Sequence, residues 1–154
     1  MTSAAAQQPV PPGKVAFFGL HFIDTSAEGA INGIRDDEVT RLALVQGLIA
    51  DDLVARGFEL VDTTPVQAEL ALIRNPAHCN GCDSRLAGEL GADYAVTGEV
   101  QKVSNLILSA NLYIRRAGPR ETLRHGAVEI RSNTDESWTR GYRYLLRRTI
   151  FPES

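Results

Sequence analysis

The chain has 154 residues, of which 44% are hydrophobic and 23% are charged, and this composition is typical of a globular protein with one core. The formal net charge of −3 argues against a general nucleic-acid-binding protein, because such proteins carry an excess of basic residues. The sequence holds no run of about 18 apolar residues, so it predicts no transmembrane segment.

Residues 1–13 form a separate block that is rich in alanine, glutamine and proline. We expect a flexible or polyproline-like lead-in here, because this composition cannot build a packed element. The block lacks the basic start and the apolar centre of a signal peptide. It therefore either begins a cytoplasmic protein or follows an export signal that is not part of this sequence. Residues 14–151 are predicted to form a single domain.

The first half of this domain predicts a β-α-β arrangement. Lys14–Asp24 is apolar on both faces, which is typical of a strand covered by helices on both sides. After the polar segment Thr25–Asp37, the sequence predicts an amphipathic helix from about Asp37 to Arg56 and a short strand at Phe58–Asp62. The apolar stripe of that helix consists of Leu42, Val45, Ile49 and Leu53.

Two short helices are predicted next. The first begins at Thr64, which is followed by proline and then by a glutamine three residues after the cap, and it runs to about Ile73. The second begins after the two cysteines with Asp83 as its cap, and it ends at Gly91.

From Ala92 the apolar period changes to two, which predicts an antiparallel meander of three strands. The middle strand should turn one apolar face to the core, formed by Leu106, Leu108, Ala110, Leu112 and Ile114. A last helix starts near Asn133 or Thr134 and should bury Trp138, Tyr142 and Leu145. The fold class is therefore α/β of the α+β-like kind, with a mixed sheet whose parallel amino-terminal part precedes a meander, packed against helices.

Four segments together resemble a family of small bacterial exported proteins of unknown function, over roughly Lys14 to Phe151. They are KVAFFGLHFIDTS, CNGCD, LGADYAVTGEVQKVSNLIL and EIRSNTDESWTRGYRYLLR. More distantly, the first strand and LGADYAVTGEV resemble the amino-terminal α/β domain of TolB and of the curli-secretion lipoprotein. The resemblance implies a TolB-like sheet topology, a periplasmic or secreted location and a non-catalytic accessory role. The chain departs from the family in lacking the export signal.

The stretch HCNGCD contains the two cysteines of the chain, Cys79 and Cys82. Attachment of a c-type haem is excluded, because that motif needs a histidine directly after the second cysteine, where this chain has Asp83. Structural zinc needs about four ligands. We favour a structural disulfide, with a redox pair or a Cu(I) site on both thiolates as alternatives, and His78 as the nearest further metal ligand.

The polar segment Thr25–Asp37 is the second candidate site. In open α/β sheets, ligands bind at the carboxyl ends of parallel strands, where this segment is predicted to lie. Its candidate contacts with a ligand or partner are Thr25, Ser26, Glu28, Asn32, Arg35 and Asp36. Acidic residues at the following helix start disfavour a nucleotide, and an ordered connection between strand and helix is the alternative.

The last helix carries Arg140, Arg143 and Arg147 on one face. A solvated basic face is the ordinary interpretation, and a docking face for an acidic partner protein is the functional one. The sequence contains no recognised catalytic motif, so we expect no catalytic residue and no cofactor. Our leading hypothesis is a periplasmic, non-catalytic module that binds a protein partner or small ligand, and the alternative is a thiol-based redox or Cu(I)-binding protein.

Overall fold

The computed structural model describes residues 10–152 and contains a mixed five-stranded sheet. The strands are β1 (Lys14–Asp24), β2 (Glu59–Leu60), β3 (Tyr94–Lys102), β4 (Leu108–Arg116) and β5 (Glu121–Ile130). Their order in the sheet is β2-β1-β3-β4-β5. Strand β1 is parallel to both of its neighbours, whereas β4 is antiparallel to β3 and to β5. The predicted fold class is confirmed.

Helices cover both faces of this sheet. They are α1 (Ala27–Asn32), α2 (Asp36–Ala55), α3 (Gln67–Leu70), α4 (Cys82–Glu89) and α5 (Asp135–Leu145). The chain also forms 3-10 turns at Thr64–Val66 and Pro76–His78, and a π-helical turn at Leu146–Ile150 follows α5. Helices α2 and α5 pack over one face with the larger core, and α4 packs over the other face with a small alanine-rich cluster.

The two-sided apolar pattern of β1 follows from its position inside the sheet. Val15 and Ala16 point to opposite faces and both are completely buried. Phe17 packs against the larger core and Phe18 against the alanine-rich cluster, each as a partly buried side chain. The sequence predicted this arrangement correctly, because both faces of a central parallel strand are covered.

Helix α5 anchors the larger core, as the sequence predicted. Trp138, Tyr142 and Leu145 are fully buried, and Trp138 stacks on Phe22 with 5.7 Å between ring centroids. The hydroxyl of Tyr142 donates a 2.9 Å hydrogen bond to a backbone carbonyl of β3, so its one polar atom is satisfied inside the core. Thr134 caps the helix.

Three helix predictions differ from the structure. The segment predicted as a loop contains α1, because the Ser26 side chain accepts a hydrogen bond from the Gly29 N–H and caps a short helix. The helix predicted from Thr64 to Ile73 is only a 3-10 turn followed by the single turn of α3, since Asp62 accepts the Thr64 N–H and holds the chain in a local turn. Asp83 does not cap α4, because Gly81 occupies the N-cap position.

Two other expectations need correction. Leu106 does not face the core with its neighbours and is 69% exposed, because Ser104 accepts hydrogen bonds from two following N–H groups and forms a turn before β4 begins. At the end of the predicted lead-in, Val10 is buried in the core and the Pro11 carbonyl accepts a hydrogen bond from Tyr94. Residues 1–9 of that lead-in lie outside the described residues.

Over residues 10–152, none of the helices combines the length and the apolar character that crossing a membrane requires.

Candidate functional site

Parallel pairing brings the carboxyl ends of β1 and β3 together, so that Asp24 lies opposite Lys102. The chain leaves β1 here, forms α1 and then begins α2. A lysine at this place is unusual because its side chain is completely buried. It must therefore have anionic partners from the surrounding segments.

Those partners form what we call the lysine network, which consists of Lys102, Glu28 and Glu38. The Lys102 ammonium donates to Glu28 Oε1 at 2.5 Å and to Glu38 Oε2 at 2.7 Å. Glu38 also accepts from the Arg35 backbone N–H and from the Asn133 side chain. Burial raises the pKa of Glu38, but these donors outweigh burial and hold that pKa below its ordinary value. The carboxylate is therefore charged and satisfied within the fold.

The structure places most of the predicted loop contacts in this internal arrangement. Ser26 is a buried cap, and the Thr25 hydroxyl donates to the Lys102 carbonyl. Glu28 binds Lys102, and Arg35 binds Asp37 and Asn105. Asn32 and Asp36 remain at the surface. The geometry therefore resembles the ordered connection that was the alternative to a binding loop.

A second polar region surrounds the disulfide loop, which we define as residues 79–82. Cys79 and Cys82 form a disulfide, and Cys82 is the first residue of α4. A cleft of about 220 Å³ lies beside the loop and is lined in part by Arg115 and Arg120. Arg115 donates to the buried carboxylate of Asp83 at 2.8 Å, so one guanidinium of the cleft is already paired.

The residue before the disulfide belongs to what we call the Glu99 cluster, formed by His78, Glu99, Tyr113 and Asn75. Glu99 accepts from the Asn75 amide at 2.7 Å, and its other oxygen lies 2.8 Å from His78 Nε2. Burial raises the pKa of Glu99, but Asn75 and His78 outweigh it and hold the pKa below its ordinary value. Burial next to this carboxylate raises the pKa of Tyr113 to about 12.

The Glu99 cluster could orient an imidazole for proton transfer, because a carboxylate bound to one ring nitrogen fixes the ring. The groups that bond to one another here are an amide, an imidazole, a phenol and a carboxylate. Among the described residues, the hydrogen-bonded set contains no serine or cysteine side chain. Within the described part of the chain, no group of three or more His, Cys, Asp or Glu side chains is arranged to hold a metal ion.

The third candidate lies on the outer side of α5. Arg140, Arg143 and Arg147, predicted to share a face, line one shallow depression of about 700 Å³ together with Arg148. We call these four residues the arginine face. All four are exposed, and none of them has an ion-pair partner among residues 10–152, although Glu136 lines the same depression. Tyr144, which is 51% exposed, contributes an aromatic surface to the same depression.

A neighbouring depression of about 650 Å³ runs along the outer side of α2 and shares Arg143 with the arginine face. We call it the α2 depression. Its lining on α2 consists of Ala43, Leu44, Gly47, Leu48, Asp51, Asp52 and Ala55. Of the two carboxylates, Asp52 is paired with Arg56 at 2.6 Å. The sequence did not reveal this surface, because Leu44 and Leu48 lie outside the predicted apolar stripe of the helix and only the placed helix α5 shows that they border a depression. The sequence also did not single out Lys102, because a lysine at the end of a strand is ordinarily exposed to solvent.

The fold is similar to that of several solved structures. The carboxyl-terminal domain of LpoB from Salmonella enterica matches with a TM-score of 0.55 at 12% identity, covering 80% of this chain and 86% of that one. The same domain from Escherichia coli matches with a TM-score of 0.52 at 15% identity, covering 83% and 87%. The lipoprotein GNA1162 from Neisseria meningitidis gives 0.50 at 16% identity, covering 80% and 84%. At these identities the similarity establishes the fold alone.

The comparison with curated proteins gives no match. A family profile, by contrast, matches nearly the whole described chain, over residues 13–150. The chain belongs to the family DUF3280, described as a protein of unknown function (DUF2380).

Proposed function

We propose that this protein is an exported, non-catalytic binding module that recognises an acidic partner protein through the arginine face. The observation that carries the proposal is the set of four exposed guanidinium groups, none of which is paired with a carboxylate among residues 10–152. Like charges three and four residues apart on a helix repel one another, and carboxylates of a partner would relieve that repulsion. The depression is shallow and open, which fits a protein surface better than an enclosed small ligand.

Export is part of the same proposal. The disulfide between Cys79 and Cys82 fits an oxidising compartment such as the periplasm. The similarity in fold to a lipoprotein, GNA1162, points in the same direction. The TolB-like relationship stays a prediction from the sequence.

A titration with an acidic peptide tests the arginine face directly. The probe is a fluorescein-labelled peptide with five glutamates, followed by fluorescence anisotropy at low and at moderate salt. We expect saturable binding to the wild-type protein that weakens as salt rises, because exposed charges are screened. The double variant Arg143→Glu/Arg147→Glu should weaken binding about tenfold or more, the equivalent of at least ~1.4 kcal/mol.

The matched control is the double variant Arg74→Glu/Arg120→Glu, which changes the net charge by the same amount at two other exposed arginines. It should bind the peptide nearly as well as wild type. If both double variants lose binding equally, the peptide responds to overall charge and the proposed docking face is wrong.

A second candidate function is thiol–disulfide exchange by the disulfide loop. One observation favours it: Cys82 is the first residue of α4, and the N-cap Gly81 has no side chain to satisfy the helix N–H groups. A helix N-terminus stabilises a thiolate, which would make Cys82 the better leaving group when an external dithiol reduces the disulfide. In that exchange the external dithiol becomes a disulfide and both cysteines become thiols. The reduced pair could also offer Cu(I) two soft ligands.

Equilibration with glutathione redox buffers, followed by alkylation and mass spectrometry, tests this second candidate. A disulfide that exchanges rapidly and has a potential near that of glutathione would support it. A disulfide that stays oxidised across the glutathione range would leave only the structural role.

A further inference from the structure

The arginine face on α5 and the α2 depression adjoin each other on the outer side of these two helices. The arginine face and the α2 depression share Arg143, so the basic surface continues into a depression that carries Leu44 and Leu48 together with two carboxylates, Asp51 and Asp52. Leu44 is 47% exposed at the edge of the α2 depression, and Tyr144 is 51% exposed on the arginine face. Exposed large apolar side chains beside a concave surface are typical of a docking site.

We infer that the partner presents an amphipathic helix with an acidic flank, which lies in the α2 depression and against the arginine face. This inference rests on the proposed function and names the chemistry of its partner. The apolar stripe of such a helix would cover Leu44 and Leu48. Its acidic flank would face Arg143 and the other arginines, on the side away from Asp51 and Asp52. An amphipathic helix presents an apolar stripe beside charged flanks, which matches leucines that lie beside arginines. Binding of such a helix in a groove is a common recognition mode.

The floor of the α2 depression supports a helix as the occupant. Ala43 and Gly47 lie one helical turn apart and provide little or no side chain, so a second backbone can approach closely. A Cβ added to Gly47 would meet no heavy atom within 4 Å, so the space above this residue is open. A flat anionic surface would contact the arginines but would leave this floor unfilled.

Gly47 also gives the sharpest test. Gly47→Leu would fill the α2 depression, and it replaces a poor helix former by a good one in the middle of α2, so the fold should tolerate it. Gly47→Ala is the matched control, because it changes helix propensity in the same direction but adds only a methyl group. The probe is a labelled peptide of about 18 residues, ~27 Å long as a helix, with a leucine stripe and a glutamate flank.

We expect the wild-type protein and Gly47→Ala to bind this peptide with equal affinity, and Gly47→Leu to bind about tenfold more weakly. A scrambled peptide of the same composition and a version with lysine in place of glutamate should both bind more weakly than the designed helix. Circular dichroism should show that the peptide gains helix on binding.

The outcomes of these experiments distinguish the proposed acidic partner from the proposed helical shape of that partner. If Gly47→Leu binds like wild type but Arg143→Glu/Arg147→Glu does not, the helical occupant is wrong and acidic recognition stands. If neither change affects binding, both proposals are wrong. If the protein alone self-associates in analytical ultracentrifugation and Gly47→Leu abolishes this, the occupant is a second copy of the chain. Anionic lipid vesicles can be added as competitors of the labelled peptide. If they displace the peptide equally well from wild type and from Gly47→Leu, the surface binds a membrane instead.

Discussion

The lysine network and the arginine face are both rich in charge, but the structure uses their charges in opposite ways. In the lysine network, Lys102 and Glu38 are buried and bound to each other, and Glu28 completes the set. On the arginine face, four cations lie at the surface without an internal counterion among the described residues. Charges that the fold has already paired are occupied within it, because removing either partner would leave a buried charge uncompensated, whereas unpaired exposed charges are available to another molecule.

The comparison therefore separates charges that are paired within the fold from charges that remain exposed, and the sequence did not show this difference. From the sequence, the segment Thr25–Asp37 is a candidate binding loop, with an ordered connection between strand and helix as the alternative. Its Glu28 and Arg35 are instead bound within the chain, whereas the arginines of α5 have the accessibility that recognition requires. Four predictions test this separation, starting with the largest expected effect.

Lys102→Met should lower the free energy of unfolding by about 3–5 kcal/mol, because it leaves the buried Glu38 carboxylate without its cation. Methionine keeps the apolar stem of the lysine, so the loss reports the charge. Chemical denaturation at neutral pH measures the effect. The double variant Lys102→Met/Glu38→Met removes both charges and should recover most of the loss. A single variant that loses less than about 1 kcal/mol would show that the network is not structural.

Replacing Cys79 and Cys82 by alanine should cost about 2 kcal/mol, since the small ring no longer restricts the unfolded chain. The loop is also joined to the Glu99 cluster through His78, so the Glu99 environment should become more mobile in hydrogen exchange. Thermal unfolding of wild-type protein with and without reductant provides the comparison. Equal melting temperatures in the two conditions would contradict a stabilising disulfide.

The lysine network should lose its contribution in acid. Because the pKa of Glu38 in the folded protein lies below its ordinary value of 4.5, the stabilisation is complete above about pH 4.5 and is lost as pH falls through the lowered pKa. The difference in unfolding free energy between wild type and Glu38→Gln should therefore shrink between about pH 6 and pH 3. Glu59→Gln, at an exposed position, is the control. A difference that stays constant over this range would contradict the assignment of Glu38 as the buried anion.

Arg143→Glu/Arg147→Glu should change the free energy of unfolding by no more than about 0.5 kcal/mol, because neither side chain has an internal partner among the described residues. Denaturation of this variant beside wild type measures the change. A loss above about 1 kcal/mol would mean that the arginine face stabilises the fold, and its proposed role in recognition would lose its basis.

Much of the fold was predictable from local patterns. The stripe of α2 and the alternation of the meander reflect periods fixed by backbone geometry, and the continuous apolar run of β1 reflects burial on both faces. The structure agrees with all three patterns. The predictions failed where a short polar side chain redirected the backbone. Ser26 caps α1 inside an expected loop, and Ser104 forms the turn that leaves Leu106 exposed.

The sequence by itself determined the class of fold, the buried face of each long element and the presence of a basic stripe on α5, because these depend on residue spacing along the chain. Only the tertiary structure decided which charges are paired. Lys102 is 64 residues from Glu38 in the chain, and parallel pairing of β1 with β3 brings Lys102 to the carboxyl end of β1, beside α2. Pairing of charges over such separations depends on sheet order and helix packing, and no local pattern in the sequence encodes that distance.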